Sequence, residues 1–243
     1  MADDNMEGVF SEELRAFGVD DEALPRVLAR FQRYRQAMLD WNTRVNLTSI
    51  TSPEEVMSKH FLDSLSLLKA YDRPQTRLLD IGSGAGFPGL PLKIVRPAWQ
   101  VVLVEATGKK VAFLQHMIEI LELQGVTALH ARAEDLARQR EYRAAFDLVT
   151  ARAVAALPIL LEYAAPFCRV GGTIILPKKG DLAEEIAQGK RAARQLGASL
   201  FADQPVKLPG LADDRRLLVW RQRALCPPQY PRSHAALVKN PLA

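Results

Sequence analysis

LLDIGSGAGFPG, residues 78–89, is an apolar strand that carries a carboxylate at Asp80 and turns at once into glycines at 82, 84, 86 and 89. A strand passing directly into a helix needs backbone angles that residues with side chains avoid, and a ligand resting on the turn needs backbone with no Cβ in its way. This stretch therefore predicts the first strand-loop-helix unit of a nucleotide-binding α/β sheet. A second carboxylate is expected about 20 residues on, where it meets ribose hydroxyls; WQVVLVE ends in Glu105, 23 residues after Gly82. Residues 84–89 also satisfy the dinucleotide pattern G-x-G-x-x-G. Two details point instead to S-adenosylmethionine. The glycines begin one step earlier, at Gly82, and Asp80 stands where a carboxylate would repel a pyrophosphate but suit a cationic sulfonium. A nicotinamide-dependent oxidoreductase is the rival reading of these residues.

Outward from the loop, short apolar runs alternate with helical segments, the texture of buried parallel strands joined by crossover helices. Strands are expected at 77–81, 100–105, 126–130, 146–150 and 172–176, with two more near 204–208 and at 216–221 after a charged helix starting near Asp181. The fold class is α/β with a mostly parallel sheet of seven strands. Before it, Leu24, Val27, Leu28, Phe31, Tyr34, Met38 and Trp41 recur at steps of three and four, which predicts a helix over 22–41. Another is expected from Pro53 to about Ala70, with Ser52 as cap and Glu54 and Glu55 in its first turn. Three regions result: a helical N-terminal extension over 1–75, the core over 76–223, and a basic, proline-containing tail over 224–243 read as having no element.

The 243 residues are 48% hydrophobic and 25% charged, a globular balance. No leader-like segment, uncharged apolar span or disulfide framework is visible, so a cytoplasmic protein with no membrane association is expected, a monomer by default. Cys168 and Cys226 have no partners at metal-ligand spacing, and no metal is expected. The net charge of +4 is uneven: residues 1–60 hold 7 Lys/Arg against 11 Asp/Glu, and residues 178–243 hold 12 against 6. Local positive potential draws polyanions, so a nucleic-acid partner is expected for the C-terminal part. Lys178, Lys179, Arg221, Arg223 and Arg232 are candidates for phosphate contacts.

Side chains at the carboxyl ends of strands are site candidates in an open α/β sheet. Arg132-Ala133-Glu134-Asp135 follows the third strand and Thr150-Ala151-Arg152-Ala153 the fourth. Ala133 and Glu134 suit the border of an adenine; Arg152 suits a substrate phosphate or base. Phe87 and Trp220 are either stacking platforms or core. His60 and Asp63, three apart on a helix, read as a structural or docking pair rather than a catalytic one. Neither cysteine stands in a nucleophile's context, and no metalloprotease, P-loop or serine-elbow motif is present.

Together these motifs resemble the ribosomal RNA small-subunit methyltransferase G family, also called glucose-inhibited division protein B. The resemblance runs nearly end to end. It is carried by Trp41-Asn42 with Val45-Asn46-Leu47-Thr48, by His60-Phe61-Leu62-Asp63-Ser64-Leu65, by the loop over 80–89, and by Lys109-Lys110 and Phe113-Leu114. Arg132-Ala133-Glu134, Phe146-Asp147, Ala151-Arg152-Ala153-Val154-Ala155 and Tyr230-Pro231-Arg232 complete it. It implies a class I, Rossmann-like methyltransferase that uses S-adenosylmethionine to methylate guanine N7 in a 16S rRNA hairpin near the decoding site, on naked RNA or the small subunit. By the resemblance Gly82, Phe87, Ala133, Glu134 and Arg152 contact cofactor; Asp80, Gly84, Gly86 and Glu105 join them from the loop pattern. Guanine N7 has a free lone pair, so no general base is implied. The tail departs from the family, reading SHAALVKNPL where relatives tend to have glycine and proline. A non-catalytic ribosome-binding protein on the same fold is a second rival.

Overall fold

The computed structural model describes residues 2–152 and 155–242; Ala153 and Val154 of the expected motif lie outside the described residues. Seven strands, β1 (Arg77–Ile81), β2 (Gln100–Glu105), β3 (Val126–His130), β4 (Phe146–Ala151), β5 (Cys168–Lys179), β6 (Ala198–Leu208) and β7 (Leu211–Gln222), form one sheet in the order β3-β2-β1-β4-β5-β7-β6. β1 to β5 are parallel, and β7 runs antiparallel between β5 and β6. The order reverses between β1 and β4. That switch point opens a crevice at the carboxyl ends of the strands, where this class of sheet takes its ligand.

Strand residues alternate between two cores. Leu78, Leu103, Leu148, Ile175 and Val219 face one side; Leu79, Val104, Val149, Ile174, Leu218 and Trp220 face the other. Helices α7 (Ala133–Leu136), α8 (Leu157–Ala164) and α9 (Ala183–Gln195) follow β3, β4 and β5 in the chain. Leu136, Leu157, Leu160, Leu161, Ala192 and Ala193, all from these helices, share the second core. α5 (Gly89–Val95) and α6 (Gly108–Ile120) serve the first, together with α1 (Ala2–Ala16) and α2 (Leu24–Asn42). Leu24, Val27, Phe31, Tyr34 and Met38 are the buried stripe of α2, as their spacing predicts. Because Phe31 and Phe61 share a core with Leu90 and Leu103, the N-terminal helices complete one face of the sheet.

The structure adds to the expected elements in four places. α1 was hidden by its acidic composition, yet Phe10 and Leu14 are buried at helical spacing. The helix over 53–69 is irregular: α3 (Pro53–Glu55) enters a π-helical stretch at Val56–Leu62, then α4 (Asp63–Leu65) and a 3-10 turn at Ser66–Lys69. π-Helical turns are frequent at functional sites. β6 and β7 form a long hairpin, and pairing with β7 extends β5 to Lys179, well past 176. The tail contains α10 (His234–Lys239), whose single buried position at Leu237 is too little for a period to show in sequence.

Glycine is required at two points of the loop for different reasons. Gly86 has φ +93°, and a Cβ there would lie 2.4 Å from Leu90 Cδ1 and 2.6 Å from the Tyr34 hydroxyl. At Gly89 a Cβ would lie 2.4 Å from Leu103 Cδ2. Gly86→Ala is therefore expected to cost about 2 kcal/mol or more through left-handed strain and the clash with Tyr34. Thermal melting should fall by roughly 4 °C or more; an unchanged melting temperature would show that the loop is not held as described.

Candidate functional site

Two cavities open at the carboxyl edge of the sheet. The first, about 280 Å³, is lined by Gly82 from the loop, Val104 of β2, Ala133 and Glu134 of α7, Ala155 just before α8, Tyr163 of α8, and His234 and Val238 of α10. The second, about 570 Å³, is lined by Lys59, His60, Asp63, Arg152, Lys178, Lys179, Arg215 and Arg216, among others. Ala155 lines the first, and its carbonyl accepts a hydrogen bond of 3.0 Å from Lys178, which lines the second.

The loop is shaped by its two carboxylates. Glu105 is buried and accepts from the backbone N–H of Gly84 at 3.1 Å and of Thr107 at 2.8 Å. A carboxylate has about four acceptor positions, so two remain for ribose hydroxyls. Asp80 is fully buried; its Oδ2 accepts from the Gly89 N–H at 2.9 Å, while Oδ1 has no partner among the described residues. Burial pushes the Asp80 carboxyl up to about 7, against the pull of the Gly89 N–H and the charge of Arg152. A buried carboxylate with an unused oxygen beside a glycine loop, next to a cavity bordered by Ala133 and Glu134, suits a nucleoside carrying positive charge.

Phe87 is 5% exposed and stacks on His60 with ring centroids 4.5 Å apart and on Tyr34 at 5.4 Å. Tyr34, fully buried with its pKa well raised, donates to the Ala85 carbonyl at 2.5 Å and so ties α2 to the loop. The Arg152 guanidinium lies 5.0 Å from the Phe87 ring centre. Arg152 donates to Asp63 at 2.7 Å, to the Lys59 carbonyl at 3.3 Å and to His60 Nδ1 at 3.3 Å. Asp63 is buried and its other oxygen accepts from Arg215 of β7. Burial and the charge of Arg152 hold His60 down at about 3. The imidazole is therefore neutral: Nδ1 accepts from Arg152, and Nε2–H donates to the Thr48 hydroxyl at 2.8 Å. Thr48 is placed by Asn42, whose side-chain oxygen accepts from the N–H of Leu47 at 2.8 Å and of Thr48 at 3.0 Å.

The sequence candidates are thus divided. Gly82, Ala133 and Glu134 meet at the first cavity; Arg152, Lys178 and Lys179 meet at the second. Arg221 and Arg223 are at the opposite edge of the sheet, because β7 is antiparallel and pairs Arg221 with Thr173 while Arg215 pairs with Lys179. Arg221 packs 4.8 Å from the Phe201 ring centre and Arg223 reaches Ser199. Arg232 is spent on the buried Glu162, at 2.7 Å. Trp220 is fully buried, which makes it core and no stacking platform. Sequence reasoning missed Tyr34, Arg215 and Arg216 as site residues. His60 and Asp63 bind through Arg152 and Arg215, not each other.

Burial pushes both cysteine thiols, Cys168 and Cys226, up to about 12. A thiol of that pKa supplies almost no thiolate nucleophile near neutral pH. No helix among the described residues is long and apolar enough to cross a membrane.

Residues 27–207 match a family model described as rRNA small subunit methyltransferase G. Proteins named ribosomal RNA small subunit methyltransferase G are similar over most of the chain. That of Roseiflexus sp. (strain RS-1) is 46% identical, covering 89% of this chain and 92% of its own. That of Chloroflexus aggregans is 43% identical over 98% of this chain and 99% of its own. Among solved structures, M. jannaschii TYW2 in complex with AdoMet superposes with a TM-score of 0.50 at 19% identity, covering 63% of this chain and 71% of that one. P. horikoshii TYW2 in complex with MeSAdo gives 0.53 at 16% identity, covering 71% and 64%. At such identities the likeness is one of fold.

Asp80 gives the glycine loop a pH signature. An acid raised to about 7 is neutral in the folded chain over a range in which the unfolded chain, at an ordinary 3.8, is ionised; its burial costs stability as pH rises toward 7. A cationic ligand favours the ionised form. S-adenosylmethionine binding is therefore expected to tighten as pH is raised from 6 to 8. In Asp80→Asn it should be weaker and flat across that range by calorimetry, whereas a slope retained in Asp80→Asn would assign it elsewhere.

Proposed function

The chain belongs to the rRNA small subunit methyltransferase G family, and from that premise we propose that this S-adenosylmethionine-dependent enzyme methylates N7 of one guanosine, guanosine 527 by the usual count, in a 16S rRNA hairpin near the decoding site. The observation that carries the reading is the pairing of two cavities at one sheet edge. One suits a nucleoside cofactor; the other is walled by six Lys and Arg against Asp63, Glu185 and Asp213, which suits a polyanion.

When bound, the cofactor supplies an electrophilic methyl group on a sulfonium. Gly82, Ala133 and Glu134 would hold it in the smaller cavity, and guanine N7 would take the methyl group on its own free lone pair. No proton leaves N7, so the residues have only to bind, orient and exclude water. Arg152 is placed for this: one face lies on Phe87, and its charge is fixed by the buried Asp63 beside the larger cavity. Lys59, Lys178, Lys179, Arg215 and Arg216 are the proposed phosphate contacts. N7 lies on the major-groove edge, which side chains do not reach in A-form RNA, so an unpaired or distorted base in a loop is the fitting substrate. The high pKa of both thiols argues against the covalent cysteine route used on cytosine C5.

Incubation with labelled S-adenosylmethionine and small subunits lacking the modification should place label on one guanosine, cleavable as 7-methylguanine. Label on another atom or nucleotide would overturn the assignment, and absence of transfer would favour the non-catalytic reading. The charge wall has its own test. Lys179→Glu with Arg216→Glu should weaken RNA binding and lower its salt dependence by about one to two in log-log slope. Arg223→Glu, at the far edge, should change neither; equal effects from both would move the RNA surface.

A further inference from the structure

The tail segment that begins after β7 returns to the carboxyl edge of the sheet and ends one wall of the smaller cavity. Three anchors bring it there. The Arg143 guanidinium donates to the carbonyls of Cys226 at 3.0 Å, Pro227 at 2.9 Å and Tyr230 at 2.9 Å. Arg232 grips the fully buried Glu162 through its guanidinium at 2.7 and 2.9 Å and through its backbone N–H at 2.8 Å. Leu237 is fully buried in the second core with Leu160 and Leu161. These contacts fix α10 while leaving two of its side chains over the cavity that Gly82, Ala133 and Glu134 also line.

Those two are His234 and Val238. Val238 is 56% exposed, one of few large aliphatic side chains so placed, and it lines the cavity. Covering it with a flat aromatic ring removes apolar surface from water. His234 Nδ1 is 2.7 Å from the Tyr163 hydroxyl, and Tyr163 lines the same cavity. Burial, with the charge of Glu134 next, lifts Tyr163 to about 12, so its hydroxyl is protonated. With Nδ1 engaged, Nε2 has no hydrogen-bond partner among the described residues and is left for a ligand.

We propose that α10 is part of the cofactor site: Val238 packs on the adenine bound against Ala133 and Glu134, and His234, held by Tyr163, supplies a polar contact from the same side. The inference rests on the methyltransferase reading and adds residues to its cofactor pocket. It makes the tail a determinant of cofactor affinity and of adenine selectivity. The tail, whose charge predicts an RNA-facing role, then has its basic Arg232 turned inward to Glu162 and its apolar helix turned to the nucleoside.

The test is calorimetric binding of S-adenosylhomocysteine and of adenosine to the full chain and to the double variant His234→Ala, Val238→Ser, with Lys239→Ala on the same helix as control. Both substituted side chains are exposed, so the ligand-free melting temperature should hold. The double variant is expected to bind both ligands about tenfold more weakly, and Lys239→Ala as tightly as the unaltered chain. In addition, S-adenosylhomocysteine should slow proteolytic cleavage within residues 233–242 of the unaltered chain. Equal affinity within twofold for the unaltered chain and the double variant overturns the inference while leaving the methyltransferase reading standing. If the unaltered chain binds neither ligand, the cofactor reading itself fails, and this inference with it.

Discussion

One buried carboxylate joins the three parts of the chain that make the site. Asp63 belongs to the N-terminal helices, Arg152 to the end of β4, and Arg215 to the hairpin that closes the sheet; the first bonds both of the others. Taking a carboxylate and two guanidinium groups out of water is costly unless each is paired, and breaking such a cluster costs about 3–5 kcal/mol. The arrangement is therefore unforgiving, and it does more than hold helices to a sheet. It fixes the Arg152 guanidinium on the Phe87 ring, beside the glycine loop, where a diffusing arginine would lose the entropy of ordering at each encounter.

The same cluster explains why the N-terminal helices are not an appendage. Tyr34 bonds the loop backbone at Ala85, His60 stacks on Phe87, and Thr48, set by Asn42, receives the proton of His60 Nε2. The π-helical turn over Val56–Leu62 is where this happens. With His60 uncharged at physiological pH, the concentration of arginines around Asp63 is not raised by another cation. In the proposed reaction these fixed charges and stacked rings would orient the reactants, and guanine N7 would need no acid or base.

The sheet was legible in the sequence because its two signals are local. Apolar runs of five or six residues reported β1 to β4, and the glycines with Glu105 reported the ligand edge. Of the cofactor candidates, Gly82, Ala133 and Glu134 line one cavity, while Arg152 lines the other. What was not legible depends on pairing over long separations. Nothing near Asp63 in sequence says that its partners are 89 and 152 residues away. Arg221 and Arg223 looked as basic as Arg215 and Arg216, and only the antiparallel direction of β7 sends one pair to the ligand edge and the other away from it. α10 was invisible because one buried leucine in six residues has no period.

The most direct test of this account is the Asp63→Asn variant, read by single-turnover methyl transfer at saturating cofactor alongside S-adenosylhomocysteine affinity and thermal melting. Asparagine keeps the shape and removes the charge that holds both arginines. The account predicts that the folded variant binds S-adenosylhomocysteine within a few-fold of the unaltered chain but transfers methyl about 100-fold more slowly, a positioning loss of roughly 3 kcal/mol. Transfer at the unaltered rate by the folded variant would contradict it, because Arg152 would then need no fixed partner to do its work.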